Sequence, residues 1–103
     1  MARFELQFRK EAEKELNELD GSVKILVKKA LKKLTERADE LGEPLRNQGG
    51  RDLTGCRKVK LKKAGIRIVY HIIGDRMEIV EILAIGNRSD YEVYEDASKR
   101  LNW

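Results

Sequence analysis

An α+β fold of order β-α-α-β-β-β-α follows from three features of the chain. Residues 4–8 and 56–62 alternate apolar with polar, residues 12–19, 23–41 and 93–101 carry apolar stripes at helical spacing, and glycine-centred breaks separate these runs. A helical hairpin and a C-terminal helix should therefore pack on a small, mostly antiparallel, twisted sheet. At 103 residues the chain is long enough for one core, and 1–103 reads as a single domain.

Phe4, Leu6 and Phe8 alternate with Arg3, Glu5 and Gln7, the pattern of a short half-buried strand. Ala12, Leu16 and Leu19 follow on one helical face, and Gly21 is the expected stop. Ser22 is the expected N-cap of a second helix, whose stripe is Val23, Leu26, Val27, Ala30, Leu34, Ala38 and Leu41, ended by Gly42. Asp20-Gly21-Ser22 is then the tight turn of a helical hairpin, with solvated Lys and Glu outside. Gly42 to Gly55 reads as a 14-residue loop holding the only proline, Pro44, and the pair Gly49-Gly50; loops of this length are usually functional or mobile.

Three strand-like runs come next, Cys56–Lys62, Ile66–Ile73 and Met77–Ile85, joined by turns at Lys63-Ala64-Gly65 and Gly74-Asp75-Arg76. They form an antiparallel meander. Ser89 begins the last helix, Glu92 completes a capping box, and Val93, Ala97 and Leu101 are its buried stripe. The helices are expected on one face of the sheet, with the other face partly open.

Charge is unevenly distributed. Residues 1–43 hold ten Lys/Arg and ten Asp/Glu, residues 44–76 hold nine and two, and residues 77–103 hold three and six. The basic middle third points to a polyanion, nucleic acid first. No apolar run approaches the ~20 residues of a membrane helix. The N-terminus Met1-Ala2-Arg3-Phe4 carries no apolar signal segment. One cysteine, Cys56, allows no internal disulfide, so a reducing cytoplasm is the default.

A turn centred on Lys63 and Ala64 sets a register. Lys62 meets Gly65, Lys60 meets Arg67, Lys58 meets Val69, Leu61 meets Ile66 and Val59 meets Ile68. One face is then apolar, with Val59, Leu61, Ile66 and Ile68 buried, and the other carries converging cations. Placing Lys60 directly against Arg67 destabilises the sheet unless an anion sits between them, which suits a phosphate site. A three-residue turn at Gly74 puts Ile82 opposite Ile68 and sends Glu81 to the cationic face near Val69, to hold Arg67 or a lysine. His71 shares the parity of Arg67 and flanks that face, where a structural role is favoured over a catalytic one. Arg88 follows the last strand. Spacing leaves Tyr94 open between lining the core and facing the basic surface.

Cys56-Arg57-Lys58-Val59-Lys60-Leu61, Gly65-Ile66-Arg67-Ile68-Val69-Tyr70, Gly86-Asn87-Arg88 and Glu92-Val93-Tyr94 together resemble the RelE branch of the RelE/ParE toxin superfamily, over nearly the whole chain. The resemblance implies the toxin of a toxin–antitoxin pair, neutralised by a small antitoxin protein and cutting messenger RNA in the ribosomal decoding site, with neither cofactor nor membrane. The family's working residues carry over onto Lys58, Lys60, Arg67, Arg88 and Tyr94. Asn87 departs from a basic residue of the type member, the turn near Gly74 is a residue longer, and no C-terminal histidine is present. The alternatives are a ParE-like gyrase inhibitor, whose branch lacks the catalytic set, and a basic nucleic-acid-binding module.

Cleavage without metal would proceed by attack of the RNA 2′-hydroxyl on the adjacent phosphate. It needs in-line positioning, a base for the 2′ proton and charge for the phosphorane. Lys60, Arg67, Arg88 and Tyr94 are the candidate catalytic residues, and Lys58, Lys62 and Arg57 the candidate phosphate contacts. Either Tyr94 or Lys60 serves as general base. Arg88 suits an electrostatic role, since arginine holds its proton too tightly to be a good acid. One Cys and one His make no zinc cluster, and no acidic group has a two-metal spacing.

Overall fold

The computed structural model describes residues 3–48, 51–73, 78–86 and 90–101. Strand β1 (Phe4–Phe8) leads into helices α1 (Lys10–Asn17) and α2 (Gly21–Arg37). Three two-residue strands follow, β2 (Glu43–Pro44), β3 (Asn47–Gln48) and β4 (Arg51–Asp52). Then come β5 (Cys56–Leu61), β6 (Ile66–Ile73), β7 (Glu78–Gly86) and helix α3 (Asp90–Leu101). The main sheet has the order β1-β7-β6-β5-β2, with β1 parallel to β7 and the other pairs antiparallel. Among the described residues, no helix is long and apolar enough to cross a membrane.

The three short strands occupy the stretch expected to be a bare loop. Pro44 sits on the edge strand β2, where a missing N–H costs no ladder bond. The helical hairpin also differs in detail. α1 ends at Asn17, and Asp20, with extended ψ, holds the N-cap position assigned to Ser22. The Asp20 carbonyl accepts the first helical bond from Lys24 at 2.8 Å, so Gly21 begins α2 instead of ending α1. The α2 stripe includes Leu31 as well, while Leu26 is 40% exposed.

Two apolar clusters sandwich the sheet. The α1–α2 hairpin packs Ala12, Leu16, Val27, Leu31 and Leu34 against Ile66, Ile68, Tyr70, Val80, Ile82 and Ile85. On the other face, Val93, Tyr94 and Ala97 of α3 pack with Leu45, Leu53, Cys56, Val69, Leu83 and Ala84. The expectation that all helices share one face is therefore corrected. Val69 of β6 and the Leu83–Ala84 pair supply an apolar strip on the second face, and the stripe of α3 needs such a strip to bury itself. The capping box built on Ser89 lies outside the described residues.

The β5–β6 register is the expected one: Lys58↔Val69, Val59↔Ile68, Lys60↔Arg67 and Leu61↔Ile66. Ile66 and Ile68 are fully buried, whereas Val59 and Leu61 are half-buried, because β5 lies near the margin of the sheet. The β6–β7 register is not the expected one. Ile85, not Ile82, faces Ile68, and Glu81 faces His71. Ile73 pairs with Ile79, so the connection is longer than the three residues assigned to it. A bulge at Val69/Tyr70 then places an extra residue, Leu83, on β7. Val80 and Ile82 face the hairpin, Leu83 and Ala84 both face α3, and Ile85 faces the hairpin again.

The end of α2 is tied to the sheet. The Tyr70 hydroxyl lies 2.8 Å from the Ala38 carbonyl and 2.7 Å from the Leu41 carbonyl, and shares its proton with them. Arg57 Nε donates to the Leu41 carbonyl and Nη2 to the Gly42 carbonyl, each at 3.1 Å. Gly42 has φ +77°, and a Cβ there would lie 2.7 Å from the Tyr70 hydroxyl and 2.9 Å from the Lys58 carbonyl. Only glycine fits.

Burial pushes the Tyr70 phenol above its usual value of 10.0, against the opposing pull of the Arg57 charge and hydrogen bond and with a smaller push from Asp39. A folded pKa above the unfolded one gives stability that is present below the unfolded value and lost as pH rises through the folded one. Thermal melts from about pH 8 to about pH 11 should therefore fall more steeply above about pH 10 for the native chain than for Tyr70→Phe. The variant should start about 1–2 kcal/mol less stable at neutral pH. Parallel curves would remove Tyr70 from this role.

Candidate nucleic-acid interface

Lys58 and Lys60 share one parity of β5, and Arg67 and Val69 the matching parity of β6, so Lys60 stands directly across from Arg67. On its other side Arg67 is paired with Gly86, which offers no side chain. The cationic pair is thereby left next to open space: a pocket of about 230 Å³ is lined by Lys60, Lys62, Gly65 and Arg67. Two guanidinium or ammonium groups in register repel each other, and a phosphate between them turns that repulsion into attraction.

Lys58 has a different environment. Its side chain is only 15% exposed, its Nζ is 3.8 Å from Glu43 Oε2 on β2, and it sits 5.6 Å above the centre of the Tyr94 ring. A cation over an aromatic face is held electrostatically. Tyr94 therefore does both things its spacing left open. It is 4% exposed within the α3 cluster, and its ring is the platform beneath Lys58. Its hydroxyl is buried and has no hydrogen-bond partner among the described residues. A buried phenol without a partner is costly for stability alone and suits a site where an incoming group completes it.

The remaining site residues divide. Lys62 is exposed in the turn that follows β5, on the rim of the same pocket. Arg57 has the opposite parity and is bonded to the Leu41 and Gly42 carbonyls, away from Lys58, Lys60 and Arg67, so the structure does not bring it into the cluster. Arg88 lies outside the described residues; the strand it follows ends at Gly86, opposite Arg67. Glu81 accepts from His71 Nε2 at 2.7 Å and pairs with Arg9 at 3.4 Å, which corrects its expected partnership with Arg67 or a lysine. The longer connection after Ile73 sets Glu81 across from His71, further along β6 from Arg67 than the expected place opposite Val69. Among the described residues, no group of three or more His, Cys, Asp or Glu is placed to hold a metal ion.

Sequence reading missed the pair that seats α3. β1 ends at Phe8, and the N–H of Arg9 makes the last backbone bond to that edge of β7, on the Ile82 carbonyl at 3.1 Å. Beyond it side chains take over. Arg100 Nη1 donates to the Leu83 carbonyl at 2.9 Å and to Glu15 Oε1 at 2.7 Å, and the Ile85 N–H donates to Glu15 Oε1 at 3.1 Å. Burial alone would lower the Arg100 pKa, but the Glu15 hydrogen bond and charge, with Asp96 and Glu11, raise it overall. The signal was present, since Arg100 continues the spacing of Val93 and Ala97, but nothing local marked Glu15 as its partner.

Comparison with known proteins gives a consistent picture. The protein family described as "ParE toxin of type II toxin-antitoxin system, parDE" matches residues 6–91. The mRNA interferase toxin RelE of Escherichia coli is 34% identical over 101 residues, covering 98% of this chain and 99% of that protein. A solved structure of an arginine-to-alanine double mutant of E. coli toxin RelE in the free state superposes with a TM-score of 0.76 at 34% identity, over 98% of this chain and 99% of that one. The same mutant in complex with a peptide of antitoxin RelB superposes with a TM-score of 0.70 at 29% identity, over 92% and 94%.

Glu15→Ala would leave the buried Arg100 guanidinium without its main anion and the Ile85 N–H without an acceptor. A loss of about 2–3 kcal/mol is expected in chemical denaturation. Amide exchange across 93–101 should rise more than exchange in α2. Uniform acceleration over both helices would show that the pair does not seat α3 in particular.

Proposed function

The chain belongs to the RelE/ParE toxin superfamily of type II toxin–antitoxin systems, as a RelE-type toxin, and from that premise we propose that it is an endoribonuclease that cuts messenger RNA in the ribosomal decoding site. The observation that carries this reading is the direct opposition of Lys60 and Arg67 beside a pocket, with Lys58 above the ring of Tyr94 on the same face.

In the proposed reaction the 2′-oxygen of a nucleotide attacks the adjacent phosphorus and the bond to the 5′-oxygen breaks. The 2′ proton passes to Tyr94 or Lys60, and the leaving 5′-oxygen takes a proton from water. Lys60 and Arg67 hold the phosphate, and Lys58 and Lys62 contact the flanking backbone. Arg88 stabilises the charge that accumulates on the phosphorane. Arg57 is left out of this set, because its donors are engaged on the hairpin side. All the charge stabilisation comes from side chains, so no catalytic metal is invoked. The ribosome supplies a bent, restrained messenger and with it much of the orientation. That substrate puts the toxin's action in the cytoplasm.

A small antitoxin protein is the proposed neutralising partner, in keeping with the RelB peptide bound to the similar RelE chain. The ParE name of the matching family favours a second reading, inhibition of DNA gyrase. The cationic set with Tyr94 counts for RNA, since a gyrase inhibitor needs no such constellation. Primer extension on messenger RNA after brief induction decides between them: discrete new 5′ ends within codons support the nuclease. Intact messenger together with loss of supercoiling activity would support gyrase.

Single-turnover cutting of programmed ribosomes separates the roles. Lys58→Ala should weaken binding and reduce its salt dependence by about one unit of slope. Arg88→Ala should leave binding within a few-fold and slow cleavage by roughly 10²-fold or more. Equal losses of binding and cleavage in Arg88→Ala would make it a phosphate anchor only. Tyr94→Phe should remove one limb of the pH–rate profile if the phenol is the base. If the ring only supports Lys58, the profile should keep its shape.

Varying added zinc or manganese at constant magnesium, which ribosomes need, should leave the cleavage rate unchanged. A rate that rises with either metal would contradict metal-independent cleavage.

A further inference from the structure

A carboxylate stands on the cationic face. Glu43 lies on β2 directly across from Lys58, and its Oε2 is 3.8 Å from the Lys58 Nζ. The chain on either side sets its place. Before it, Arg57 donates to the Leu41 and Gly42 carbonyls, and Gly42 makes a bend at φ +77° that only glycine fits. After it, Leu45 is buried and its N–H donates to the Cys56 carbonyl at 2.8 Å. β2 is thus pinned against β5, with its carboxylate within reach of Lys58. Arg57, left out of the phosphate contacts, acts here on the backbone that carries Glu43.

The two partners differ in exposure. The Lys58 side chain is 15% exposed and the Glu43 side chain 77%. The lysine is confined between the carboxylate and the Tyr94 ring, whereas the carboxylate can swing into solvent. A carboxylate and a phosphate offer an ammonium group the same kind of oxygen. Ion pairs with an exposed partner are weak, so a phosphate that also engages Lys60 and Arg67 displaces this one. We propose that Glu43 is an internal competitor for the phosphate site: it holds Lys58 in the free chain, yields it to a bound phosphate, and so lowers affinity for RNA that cannot make the remaining contacts. That the phosphate belongs to RNA rests on the reading above; the competition itself does not.

Two effects of opposite sign follow from removing the carboxylate. The face that holds Lys58, Lys60 and Arg67 loses a negative charge, so the fold becomes slightly less stable. Phosphate binds more tightly, because no pair has to be broken first. A residue that served the fold alone would give the first effect without the second.

The probe is a fluorescent single-stranded RNA whose 2′-hydroxyls are methylated, so that it binds without being cut. In anisotropy titrations Glu43→Gln should bind it about two- to fivefold more tightly than the native chain, the range for breaking an exposed ion pair. Lys58→Met keeps an apolar stem over the Tyr94 ring and removes the charge. In that background Glu43→Gln should leave affinity almost unchanged. Equal tightening with and without the lysine would overturn the proposal and reduce Glu43 to a distant repulsive charge. Weaker binding in Glu43→Gln would also overturn it, making the carboxylate a guide that aligns Lys58. Thermal melts check that each variant is folded. Pyrophosphate supplies an arm that needs no RNA. With 13C-labelled lysine, the Lys58 side-chain signal, displaced by the Tyr94 ring, should respond at lower pyrophosphate in Glu43→Gln than in the native chain. Coincident titrations would overturn the competition. RNA that binds no variant, with the pyrophosphate difference present, would count against the RNA reading and leave the competition standing.

Discussion

β6 is flanked by strands on both sides and covered on both faces, so each of its residues has one place to go. Ile66, Ile68 and Tyr70 enter the core beneath the helical hairpin, and Val69 enters the one beneath α3. Arg67 lies between two buried isoleucines and has the opposite parity. It therefore emerges on the second face whatever its charge requires. The pairing with β5 then fixes Lys60 across from it. A strand so constrained cannot relieve the repulsion by turning a residue over, because a one-residue slip would bury every polar side chain it carries.

The bulge on β7 makes this arrangement compatible with a helix on the second face. Strict alternation after Ile82 would send Ala84 to the hairpin core and Ile85 beneath α3. The extra residue reverses that assignment, returning Ile85 to the hairpin side and leaving small Ala84 under the helix. Close seating of α3 follows, and with it the place of Tyr94 beneath Lys58. The Glu15–Arg100 pair completes the device by bonding the Leu83 carbonyl and Ile85 N–H, which the end of β1 leaves without a strand. A buried ion pair is tolerable there because backbone groups share the cost of its desolvation.

Element order, the three long strands and the β5–β6 register were legible because each rests on local pattern: two-residue alternation and a tight turn. Lys58, Lys60 and Arg67 came with that register. The β6–β7 register was not legible. Its connection length and its bulge are settled by how β7 must feed two cores at once, and no local residue announces that. The side of the sheet taken by α3 was hidden for the same reason, since a stripe of Val93 and Ala97 fits either face. Arg57 was misread from its neighbours. Its charge resembles theirs, but parity turns it toward the carbonyls at the end of α2.

The first strand of the chain pairs in parallel with the last, Phe4 against Glu78 and Phe8 against Ile82. Such a contact closes a loop spanning most of the sequence, and its entropy must be offset by interactions that exist only once β7 has been made. During synthesis, β1 and the hairpin leave the ribosome long before their partner strand does. The sheet waits for residues near the end of the chain, and α3, which brings Tyr94, comes later still. For a toxin this order of events keeps the harmful shape from existing on the nascent chain until β7 and α3 have both been made.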